Sequence, residues 1–105
     1  MGAMYIRGGI PIGIRKTVDQ VGAKYVFPKG VSNFVVWYNH SGTIALRVYF
    51  TEEDFTAGTN YALIPATVGT PGNPLEIPAE LGEFWAAADT TGSVEFTAIA
   101  MIRRG

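Results

Sequence analysis

The chain has no cysteine among its 105 residues. That absence removes disulfide staples, thiolate metal sites and thiol nucleophiles together, and leaves a core that must hold by packing alone. Charge is scarce as well: charged side chains make up 16% of the sequence, below the ~25% of ordinary soluble chains, against 48% hydrophobic residues. So little polar material covers the exterior poorly and favours a surface shared with another molecule. The formal net charge of −1 provides no field to attract nucleic acid or an anionic membrane surface, so neither is expected as a partner. Long apolar runs are missing too, and nothing approaches the roughly 20 residues of a membrane span. The opening segment, MGAMYIRGGIPIGIRK, is broken by Gly2, Arg7, Gly8, Gly9, Pro11 and Gly13. It holds no continuous apolar stretch of signal-peptide length, so export by the general pathway is not expected.

Catalytic groupings are equally thin. The single histidine, His40, lies between Asn39 and Ser41 in a run of turn formers and reads as an exposed turn residue. Ser32, Ser41 and Ser93 sit in no Gly-x-Ser-x-Gly elbow. Glu52, Glu53 and Asp54 form the densest acidic run, but consecutive acids lack the alternation of a calcium loop. Following Thr51, they read instead as the start of one helical turn that Gly58 would stop. Glu76, Glu80 and Glu83 lack the long cleft and larger scaffold of a glycoside hydrolase. No phosphate-cradling glycine motif precedes a helix. The reading is a non-enzymatic domain with no catalytic residue, no metal ligand and no cofactor.

What the sequence does have is strand. Residues 31–38 read VSNFVVWY, residues 43–50 read TIALRVYF, and residues 93–104 read SVEFTAIAMIRR. A half-exposed strand alternates apolar and polar residues, whereas these carry apolar groups on both faces. Such strands are central in a fold or covered by another chain. Further short strands are expected at 14–20, 24–27, 60–65, 74–78 and 82–88, with the proline-bounded 74–78 as an edge strand. The tetrad Asn39-His40-Ser41-Gly42 is expected to close a hairpin between the runs on either side of it. Ile44, Leu46, Val48 and Phe50 are assigned to the core, and Val94, Phe96, Ala98, Ala100 and Ile102 share one face of the last strand. Ala98 and Ala100 predict close contact between sheets. About eight short strands and no sustained helical stripe give an all-β fold, an antiparallel β-sandwich of jelly-roll or related Greek-key type. Residues 1–13, rich in glycine, are expected to be a flexible arm ahead of one domain spanning 14–105.

The order of segments LRVYFTEEDFTAGTNYALIP, PLEIPAELGEFWAAAD and TTGSVEFTAIAMIRRG resembles small virion proteins of tailed bacteriophages. Shared features are an acidic ED turn after a strand, a strand after NY, a proline-rich edge, an aromatic strand opening with Phe84-Trp85, and a last strand ending in arginines. The resemblance spans about 31–105 and describes a sandwich pattern rather than a site. It implies a capsid decoration (cement) protein, or a head or tail accessory subunit, located in the virion after assembly in the host cytoplasm. The implied partners are further copies of the chain, with a trimer as the expected oligomer, and the major capsid protein or other virion subunits. Phe34, Val36, Tyr38, Tyr49, Ile99 and Met101 are the candidate subunit interface. The alternative is a carbohydrate-binding or host-adsorption module that uses Trp37, Trp85 and the tyrosines as a sugar platform; against it, these aromatics sit within apolar strand runs.

Overall fold

The computed structural model describes residues 9–27, 32–67 and 74–103. Eight strands and one short helix follow in order: β1 (Gly9–Asp19), β2 (Ala23–Val26), β3 (Ser32–Asn39), β4 (Leu46–Tyr49), α1 (Glu52–Ala57), β5 (Ala62–Ile64), β6 (Leu75–Ile77), β7 (Glu83–Ala88) and β8 (Ser93–Arg103). They form two four-stranded sheets, one ordered β1-β8-β3-β6 and the other β2-β7-β4-β5. Every pairing is antiparallel.

The strand pairings explain the topology. β4 pairs with β5, β3 with β6, β2 with β7 and β1 with β8. The chain therefore behaves as one long antiparallel ribbon folded on itself. Two more ladders, β3 with β8 and β4 with β7, stitch the folded ribbon into two sheets. That nested order is the jelly roll, which the strand pattern alone left unseparated from other Greek keys.

Between the sheets lies one main core. Phe84 is its centre, with its ring 5.3 Å from both Tyr25 and Trp37, 5.7 Å from Phe27 and 6.1 Å from Phe96. Ala86, Ala88, Ala98 and Ala100 are buried around it. Small residues on β7 and β8 make room for large rings, as dense packing requires. Leu46 and Val48 point inward as expected, while Ile44 and Phe50 pack against the core from just outside β4. β6 is an edge strand, also as expected.

Two expectations are corrected. The first is the hairpin at 39–42. β3 and β4 belong to different sheets, so the segment between them is a crossover. A two-residue hairpin of type I′ needs positive φ in the turn, and the described residues with positive φ are Gly22, Gly58, Asn60 and Gly92. The side chain of Asn39, 6% exposed, directs the crossover instead. Its amide nitrogen donates toward the carbonyls of Ile44, Ile64 and Pro65 at 3.0, 3.1 and 3.2 Å, and its Oδ1 accepts from the Ser41 N–H at 2.7 Å. Ser41 Oγ then accepts from the Thr43 and Ile44 N–H groups. The second correction concerns the arm. Gly9–Gly13 continue β1, opposite Ile99–Arg103. The ladder to β8 outweighs the local cost of two glycines and a proline. Residues 1–8 of the expected arm lie outside the described residues.

Candidate functional site

The inward faces of the strands are used by the core, so any surface for a partner lies on the two outward faces, at the ends or along the open sheet edges. Alternation along β3 and β8 fixes the outward set of the first sheet. Val35 and Trp37 point into the core, so Phe34, Val36 and Tyr38 point out. The ladder register sets them in rows: Phe34 beside Met101 and Pro11, Val36 beside Ile99 and Gly13, Tyr38 beside Thr97 and Arg15. Glu76 on β6 extends the middle row. Five of the six candidate interface residues thus gather on one face. Phe34, Ile99 and Met101 are half-buried, Tyr38 is 39% exposed, and Val36 is shielded to 8% by its neighbours.

Tyr49 does not join them, and this is a correction. It lies on the outward face of the second sheet, 3% exposed, in a small aromatic cluster with Trp85 and Ala87 that Phe55 and Tyr61 cover. Phe55 is delivered by α1. Thr51 caps that helix, its Oγ1 accepting from the Asp54 N–H, and Gly58 ends it in the left-handed conformation at φ 72°. The Phe55 ring sits 5.3 Å from Tyr49 and 6.5 Å from Trp85. Arg47 stacks its guanidinium 4.2 Å over Tyr61 while its Nε donates to Asp89 at 2.6 Å. The second sheet's outward face is therefore closed by its own chain over its central strands, while Val26 on β2 and Leu63 on β5, at its two opposite edges, stay 58% and 50% exposed.

The polar end of the first sheet's face carries charge. Arg15 Nε donates to Glu95 at 2.6 Å, across the β1–β8 ladder. The hydrogen bond from Arg15, and then its charge, hold the Glu95 carboxyl below the usual range. His40 is exposed, as expected of a turn residue, yet it has a partner: its Nε2 shares a hydrogen bond with Thr97 Oγ1 at 2.7 Å. That contact was not legible because 57 residues separate the two in sequence.

A shallow pocket of about 140 Å³ lies beside this end, lined by Tyr38, Asn39, His40, Ile64, Pro65, Thr67 and Pro74. Small-molecule sites usually offer roughly 300–1,000 Å³. Asn39 is already committed to backbone carbonyls, and no carboxylate joins His40 in the lining. Among the described residues there is no group of three potential metal ligands. The Asp54 carboxylate is taken up by Thr51, Thr59 and Asn60. Glu76 and Glu83 lie on opposite outward faces of the sandwich, and Glu83 pairs with Lys24 at 3.1 Å. Trp37 is wholly buried and Trp85 is 5% exposed, so neither offers a ring face to a sugar. No protein-family model, curated protein or solved structure matches the chain.

Proposed function

We propose that this chain is a non-enzymatic structural subunit that acts by association, and that its setting is the particle of a tailed bacteriophage, as a decoration protein bound to capsid subunits. The observation that carries the reading is the unequal treatment of the two outward faces. On one, α1 and its aromatic cluster cover the central strands and leave Val26 and Leu63 exposed apart from each other on the two edges; the other leaves Phe34, Tyr38, Ile99 and Met101 in a contiguous apolar patch around Val36 on its central strands. Monomeric proteins seldom keep such a patch without a use for it. Jelly rolls serve in viral capsids but also in lectins and cupins, so the fold alone does not choose among them. The choice of a phage particle comes from the resemblance of segments described above.

The test is co-sedimentation of the purified protein with heads of tailed bacteriophages, comparing expanded with immature shells. Saturable binding to expanded shells is expected, and Tyr38→Glu with Ile99→Glu should abolish it while near-ultraviolet dichroism still reports a packed Trp37. Failure to bind any shell, or binding unaffected by those substitutions, sinks the reading.

A further inference from the structure

The edge of the first sheet carries information that its face does not. β1 is the outermost strand there, eleven residues long, and among the described residues it pairs only with β8. In an antiparallel ladder, alternate residues turn their N–H and C=O toward one neighbour and then the other. Which residues of β1 face the open side follows from one bond. The His40 N–H donates to the Glu95 carbonyl at 2.9 Å, so Glu95 aims its backbone toward β3. Thr97, Ile99 and Met101 share that direction by alternation. The residues between them therefore serve β1, where their partners are Ile12, Ile14, Lys16 and Val18. This leaves Pro11, Gly13, Arg15 and Thr17 with their backbone groups on the open edge.

Pro11 fits that assignment independently, since proline cannot donate to a ladder and is tolerated where its nitrogen faces outward. Gly13 is the unexplained residue. It sits in mid-strand, its φ is not among the positive values, and a Cβ built there would meet nothing within 4 Å. The subunit itself gives no reason for a glycine that weakens the strand; approach by another backbone would. β1 has three of the features that guard a long edge, Pro11 and the charged Arg15 and Lys16, but no bulge, covering helix or short length among the described residues, which leaves the stretch around Gly13 open.

We propose that a second copy of this chain adds antiparallel along the open edge of β1, joining the β1-β8-β3-β6 sheets of the two copies into one continuous sheet about a two-fold axis at Gly13. This rests on the reading that the chain acts by association. Charge repulsion narrows the register, and the otherwise unexplained glycine, best used where two backbones meet, places the axis at Gly13. Centred on Gly13, the pairing sets Ile12 against the partner's Ile14 and Arg15 against the partner's Pro11. The Arg15 N–H then finds the Pro11 carbonyl, so the missing donor of Pro11 is the only one lost there. Centring on Arg15 or Lys16 places like charges directly opposite, which is unfavourable. The edge is thus complementary to itself at Gly13, the requirement of an isologous contact. It builds dimers, in place of the trimer that the resemblance suggests.

The experiment uses the absence of cysteine. Residues directly opposite in a hydrogen-bonded pair have Cα atoms about 5.5 Å apart, within disulfide reach. Gly13→Cys should therefore form a covalent dimer under mild oxidation. Arg15→Cys, displaced from its own copy by roughly 13 Å along the strands, should cross-link at least tenfold more slowly. Gly13→Pro, which removes an edge donor that β8 does not use, should shift the sedimentation coefficient from dimer to monomer with the fold intact by dichroism. A wild-type monomer at micromolar concentration, equal cross-linking rates, or a dimer that survives Gly13→Pro overturns the proposal. Head binding separates this from the functional reading. A monomer that still binds heads sinks the edge contact alone, whereas an edge dimer that binds no head sinks the role and leaves the contact standing.

Discussion

The two outward faces of this sandwich begin with similar material and end differently. Both present aromatic and aliphatic side chains from central strands: Phe34, Val36, Tyr38, Ile99 and Met101 on one side, Tyr49, Trp85 and Ala87 on the other. The centre of the second face is closed by a six-residue helix and Tyr61, because α1 needs only Phe55 to reach Tyr49 and Trp85, while Val26 and Leu63 stay exposed at its edges. On the first, side chains from the strands themselves are what shield Val36. The difference teaches that two-faced apolar strands do not by themselves announce a partner. A short helix can satisfy one face within the chain, and only what remains uncovered is evidence for association.

The sharpest way to break this comparison is to substitute equivalent positions on each face. Trp85→Ala should cost about 3–4 kcal/mol in urea unfolding, because it removes a ring that is 5% exposed and packed by the chain's own helix. Gly22→Ala should follow at about 2 kcal/mol. Its φ is +87°, and a Cβ there would lie 2.7 Å from the Phe55 ring and 2.8 Å from the Ala86 carbonyl. The backbone oxygen cannot yield as a flexible side chain could. Ile99→Thr, on the open face, should cost only about 1 kcal/mol, since Ile99 is half-buried, while reducing particle binding at least tenfold. If Ile99→Thr destabilises the chain as much as Trp85→Ala does, the first face is as internal as the second and the contrast disappears.

The strands were legible because their residues are β-branched, aromatic and bounded by glycine and proline. The helix was legible through Thr51, the three acids and Gly58, each of which acts on the turn beside it. The crossover at Asn39 was not. Asn-His-Ser-Gly has hairpin composition, and its real role depends on carbonyls of Ile64 and Pro65, more than twenty residues away. Tyr49 was misplaced for a related reason: its outward direction was read correctly, but no local signal says that Phe55 and Tyr61 will cover it. Gly13 illustrates the reverse case. Local composition favours a flexible arm there, and the long ladder to β8 overrides it. Side-chain direction is a local property that sequence carries well. Which segment covers a face depends on topology.

The smallest expected effect concerns the helix that makes the two faces different. Asp54 accepts hydrogen bonds from Asn60 and Thr51, with a weaker one from Thr59, and these hold its carboxyl below the usual range. A carboxylate depressed in the folded state stabilises the protein fully above its unfolded value and loses that contribution as pH falls through the folded one. Replacing Asp54 by Asn should therefore lower the melting temperature by a constant amount at neutral pH. The gap should close progressively below pH of about 4, where free aspartate begins to protonate. Because Asp54 anchors α1 rather than the strands, the change should appear first in hydrogen exchange around Phe55 and Trp85, with the amides of β3 and β8 unaffected. Equal loss of protection on both sheets would mean that α1 stabilises the whole sandwich rather than sealing one of its sides.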